Sequence, residues 1–120
     1  METYNGWTNR ETWCLMLWIN NDEGLQSYAH EYVRDRVTQL QASAPVRAIF
    51  QGAAESLTYD AATALQEWTE IMFTRSGYED QYGEQWPPDL ADIAAEIGSL
   101  WRIDFRDAAE SLWQDIREAV

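Results

Sequence analysis

Phe105, Ala108, Ala109, Leu112, Trp113 and Ile116 recur at i, i+3, i+4, i+7, i+8 and i+11 without a gap. That spacing lays one apolar stripe along a 3.6-residue helix and excludes a strand, whose faces alternate at every second residue. Asp104 is placed to cap this helix, and periodicity sends Asp107, Glu110, Asp115 and Glu118 to its outer side. The rest of the chain has the same three-and-four rhythm, interrupted by turn residues, and no segment alternates as a strand would.

Thr8-Asn9-Arg10-Glu11 has the form of a capping box, which predicts a first helix beginning near Asn9 with Thr8 and Glu11 satisfying its free amides. The run Trp13 to Ile19 is apolar on every side, so this helix is expected in the middle of the fold. Asn20-Asn21-Asp22 breaks and recaps. A second helix is read from Asp22 to about Gln41 on the stripe Leu25, Tyr28, Ala29, Tyr32, Val33, Val37 and Leu40. Pro45 suits the first position of a third helix carrying Val46, Ile49, Phe50, Ala53 and Leu57, although Gly52 weakens it. Thr58 or Asp60 is read as the cap of a fourth, ending near Arg75-Ser76-Gly77 with Ala61, Leu65, Trp68 and Met72 turned inward. Residues 75–88 hold Gly77, Gly83, Pro87 and Pro88 and are expected to be largely a loop; Asp89 then starts a helix on Leu90, Ile93, Ala94 and Ile97. The expectation is an all-α protein: one compact bundle of about five to six helices in a single domain spanning the 120 residues.

Charge bears on function. Eight arginines and no lysine face 21 carboxylates, for a formal charge of −13. A small domain needs a net charge of roughly 2 to 8 for solubility. The excess repels itself, argues against direct binding to nucleic acid or an anionic membrane, and favours a basic partner, a cation-rich solvent or imitation of a polyanion. The acids concentrate late in the chain. Asp89, Asp92 and Glu96 stand at i, i+3 and i+7, and Asp107 and Glu110 three apart, spacings that set helical neighbours roughly 5 to 6 Å apart. DNA carries a charge per about 3.4 Å along each strand, so such rows approximate a phosphate track. The plainer alternative is a solvated acidic face. With Asp115, Glu118, Glu79, Asp80 and Glu84, these residues make the candidate partner-binding surface.

Enzymatic constellations are scarce. His30-Glu31-Tyr32-Val33-Arg34 opens like H-E-x-x-H, but Arg34 stands in place of the second histidine and His30 is the single histidine. Cys14 lies in an apolar run with no basic neighbour to hold a thiolate and reads as a small buried hydrophobe, as suits a reducing cytoplasm. No calcium loop and no glycine-rich phosphate cradle occurs, so no catalytic residue, metal or cofactor is expected, and neither secretion nor membrane insertion is signalled. Among the aromatics, Trp13, Trp18, Trp68, Trp101 and Trp113 fall in or beside apolar stripes and are read as core; Trp7 suits a hydrophobic staple. Tyr78, Tyr82 and Trp86, in the expected loop, remain as candidates for partner contact.

Asn5-Gly6-Trp7-Thr8-Asn9-Arg10-Glu11-Thr12-Trp13 with Leu17-Trp18-Ile19-Asn20-Asn21-Asp22-Glu23-Gly24-Leu25 resembles a family of small, largely uncharacterised proteins of phages, plasmids and related mobile elements. Ile103-Asp104-Phe105-Arg106-Asp107-Ala108-Ala109 is similar to the closing helix of those proteins, which commonly has tryptophan where Phe105 stands. The resemblance carries no catalytic residues. It implies a mobile-element protein with an anti-defence role, such as an anti-restriction or anti-CRISPR inhibitor in the host cytoplasm. Joined to the charge, it leads to a DNA mimic that occupies a basic nucleic-acid-binding protein or complex of the host. An interaction module whose acidity serves only solubility is the alternative, and a homodimer through exposed tryptophan stays open.

Overall fold

The computed structural model describes residues 3–43 and 52–118 and is all-α. Among the described residues, six helices enclose one cluster of buried side chains. They are α1 (Arg10–Asn21), α2 (Glu23–Ser43), α3 (Ala53–Phe73), α4 (Arg75–Tyr82), α5 (Pro88–Ile97) and α6 (Phe105–Glu118), with a short 3-10 turn at Leu100–Arg102 before the last. Pro45, Val46, Ile49 and Phe50, read as part of a third helix, lie outside the described residues.

The central helix is α3 rather than α1. It packs against α2, α4, α5 and α6, and buries Ala61, Ala64, Leu65, Trp68, Thr69, Met72 and Phe73. Trp68 meets Phe73 edge to face, with centroids 5.7 Å apart, and the buried Thr69 hydroxyl donates to the Leu65 carbonyl at 2.8 Å. By contrast α1 buries Thr12, Cys14, Leu15, Met16 and Ile19 while Leu17 faces outward, so its apolar run is covered on one side. Asp22 joins α1 to α2 as expected: its amide donates to the Trp18 carbonyl and its carboxylate accepts from the Leu25 amide at 2.9 Å. Leu25, Ala29, Val33 and Val37 then line the buried side of α2.

Three boundaries differ from the sequence expectation. The helix runs unbroken through Thr58-Tyr59-Asp60. Ser56 and Asp60 are not caps but polar residues buried against α2, where the Gln41 amide donates to both; a hydrogen-bonded polar pair inside an apolar stripe imitates a helix start. Helix α3 then stops at Phe73, and Thr74 reopens the chain as α4 by accepting the Gly77 amide on its hydroxyl. Residues 75–82, read as loop, are therefore helical, and Gly83 closes α4 in the left-handed region at φ 66°. Gly77 is required by contact: a Cβ there would collide with the Glu70 carbonyl oxygen of α3 and meet Thr74 Oγ1 at 2.6 Å.

Candidate interaction surface

The segment that begins at Asn5 is a clasp. Asn5 and Gly6 adopt φ of 49° and 90°, the positive pair of a type I′ turn, and Tyr4 and Trp7 exchange backbone hydrogen bonds across it. The turn lays the Tyr4 ring against Trp13, with centroids 5.2 Å apart. Thr8 is not the helix cap. Its amide and its hydroxyl both donate to Asp107, at 2.9 Å each, and the hydroxyl also lies 3.0 Å from Asp104 Oδ2. Asn9 is the cap. Its side-chain oxygen accepts from the Thr12 amide and hydroxyl at 2.9 and 2.7 Å, while its amide nitrogen donates to the Arg102 carbonyl at 2.7 Å. Arg10 donates to the carbonyls of Glu96 and Ile97, which end α5, where a helix leaves its acceptors free. Glu11 pairs with Arg102 at 3.5 Å, and the buried Thr12 hydroxyl accepts from the Asp104 amide at 2.9 Å. The motif near the start of the chain thus binds residues 96–107, including much of the second segment on which the resemblance rested.

This clasp sorts the candidate carboxylates. On α6, Asp107 is half-buried under Thr8, Glu110 faces Arg106 at 3.6 Å, and Glu118 accepts from Gln114 at 3.3 Å. Asp115 is half-buried and acts on His30 of α2. Glu96 accepts the Trp18 indole N–H at 3.2 Å. The five that remain are different: Glu79, Asp80, Glu84, Asp89 and Asp92 make no hydrogen bond or ion pair through their carboxylates with the described residues. All but the half-buried Glu79 are exposed. The arginines with described ion pairs are spent elsewhere, Arg36 on Glu67, Arg34 on Asp35, Arg102 on Glu11, and Arg106 on Glu55 and Glu110.

The aromatics also change places. Tyr78 and Tyr82 stack on each other at 4.6 Å, Tyr82 packs on the core, and Trp86 donates its indole N–H to the Met72 carbonyl at 2.9 Å, so all three are half-buried pieces of the fold. Trp101, read as core, is 83% exposed on the 3-10 turn. Chain spacing does not separate it from the buried Trp68, because each has an aliphatic residue three or four positions earlier, Leu65 for Trp68 and Ile97 for Trp101. Its one distinguishing sign is the break signalled by Gly98-Ser99 just before it.

A groove of about 940 Å³ runs along α2 past Tyr28, Tyr32 and Glu67. Glu67 there is already held by a two-pronged contact from Arg36, at 2.8 and 3.2 Å, and by the Tyr32 hydroxyl at 3.3 Å. Burial, reinforced by Glu67, pushes the Tyr32 phenol up, and the hydrogen bond to Glu67 holds Arg36 above its ordinary value. Burial likewise raises the Cys14 thiol, away from a reactive thiolate. It lowers His30, which Asp115 partly offsets, and His30 Nε2 is buried with no hydrogen-bond partner among the described residues. Among the described residues no three His, Cys, Asp or Glu side chains come together as a metal-binding group, and no helix is long and apolar enough to cross a membrane.

These features define a small acidic all-helical protein whose N-terminal motif is a structural clasp. The chain belongs to the family described as "Family of unknown function (DUF7249)", which it matches over residues 1–86. No curated protein and no solved structure matches it.

Proposed function

We propose that the protein binds a basic nucleic-acid-binding surface of another protein and blocks it by imitating a polyanion, as an anti-restriction or anti-CRISPR inhibitor carried by a mobile element would. One observation carries this reading. The carboxylates of α4, α5 and the turn between them are left without a cationic partner among the described residues, while those elsewhere are largely bonded within the fold. Leaving these charges unneutralised costs stability in a chain of net charge −13, and a cationic groove would offset that cost on binding. On this reading the carboxylates of residues 79–92 are weighted above those of α6, because they have no cationic partner among the described residues.

The test is competition. Basic proteins captured from host lysate by the immobilised protein should be released by duplex DNA and should weaken steeply between about 50 and 200 mM salt. Reversing Glu79, Asp80, Glu84, Asp89 and Asp92 to Arg should abolish capture. Capture that persists under saturating DNA sinks the mimic, and capture indifferent to salt favours the interaction module whose acidity serves only solubility.

A further inference from the structure

Trp101 is a large aromatic on a short, well-bonded turn, with its ring almost fully in solvent. It borders an open groove of about 730 Å³ whose floor includes Leu100, Ile103 and Phe105 and whose rim carries Glu70 and Asp80. No arginine lines this groove among the described residues. Nearby, the Arg102 guanidinium lies 5.9 Å from the Trp101 ring centroid while pairing with Glu11, so a guanidinium already uses this ring within the molecule.

We propose that the Trp101 groove is the anchoring site for an arginine side chain of the basic partner protein, with the guanidinium stacked on the indole and paired with Glu70 or Asp80. The proposal rests on the reading that the partner is basic, and it adds the residue that would supply desolvated contact, since Tyr78, Tyr82 and Trp86 are occupied in the fold. Charge complementarity selects this occupant: an aromatic ring flanked by carboxylates suits a planar cation better than a compact ammonium. A second copy of the chain is disfavoured because it brings the same charge of −13 to the contact.

The test compares labelled oligoarginine and oligolysine peptides of equal length by fluorescence anisotropy. The wild-type protein should prefer oligoarginine by about 5-fold, the ratio that a cation–π contact of about 1 kcal/mol produces. Trp101→Ala should erase the preference without changing the circular dichroism spectrum, and Trp101→Phe should keep part of it. Asp89→Asn with Asp92→Asn should weaken both peptides alike and leave the ratio intact. An unchanged ratio in Trp101→Ala, with both peptides still binding, overturns the anchor and spares the basic-partner reading; failure of both peptides to bind the wild-type protein overturns both. A dimer in sedimentation that Trp101→Ala dissolves would replace the arginine by a second copy.

Discussion

The clasp and the stretch from α4 to α5 treat their carboxylates in opposite ways. Around the clasp, Asp104 and Asp107 accept hydrogen bonds from Thr8, Asp104 also accepts the Asp107 amide as a cap, and Glu11 pairs with Arg102. Along α4 and α5, Glu79, Asp80, Glu84, Asp89 and Asp92 accept nothing through their carboxylates from the described residues. The first arrangement uses charge to hold helices together, where charge-assisted hydrogen bonds are worth more than neutral ones. The second spends stability on a charged edge. Substitutions should accordingly damage folding in the first and recognition in the second.

The largest effect is expected where α4 is seated against α3. Gly77→Ala should destabilise by about 3 kcal/mol in urea unfolding, because the new methyl meets backbone of α3 that cannot turn aside; a neutral result would mean that α4 is not seated against α3 as described. Asn9→Ala comes next, at about 1.5 kcal/mol by the same measurement, since it removes a helix cap together with a bond to the 3-10 turn. If it costs nothing, the clasp does not hold the two ends together.

A pH series sharpens the contrast further. Burial lowers His30 from its ordinary 6.5, so the unfolded chain takes up the proton first as pH falls. The stability contributed by neutral His30 is present above about pH 6.5 and declines below it. His30→Gln should flatten the decline of the thermal-melting profile below about pH 6.5 relative to wild type, and parallel profiles would refute the assignment. The smallest change in stability belongs to Asp89→Asn with Asp92→Asn, within about 0.5 kcal/mol. The same pair should reduce the salt slope of binding to a cationic peptide. A stability loss above that range would show these carboxylates to be structural after all.

Much of the fold was legible. Helices α2, α5 and α6 follow their apolar periodicity closely, because their buried faces are built from aliphatic and alanine positions, while α1 was legible from its cap and apolar run. The start of α3 was obscured where Ser56 and Asp60 face Gln41, since a buried polar pair has the composition of a cap. Helix α4 lacks an apolar stripe and exists because Thr74 and Gly83 close its ends. Of the candidate surface, the residue types were readable and their allegiance was not. Thr8 and Asp107 are 99 residues apart in sequence, and a local pattern offered Thr8 a nearer role. Likewise, nothing in the spacing of Trp101 says that its turn leaves the bundle.

The clasp also sets an order of events during synthesis. Thr8 and Asn9 leave the ribosome 93 to 99 residues ahead of their acceptors at Arg102, Asp104 and Asp107. At about 5 to 20 residues per second the N-terminal turn waits several seconds with its donors in water. The ring through the chain can close only after residues 102–107 have emerged, so a ribosome stalled within α5 holds a chain with its earlier helices begun and the clasp still open.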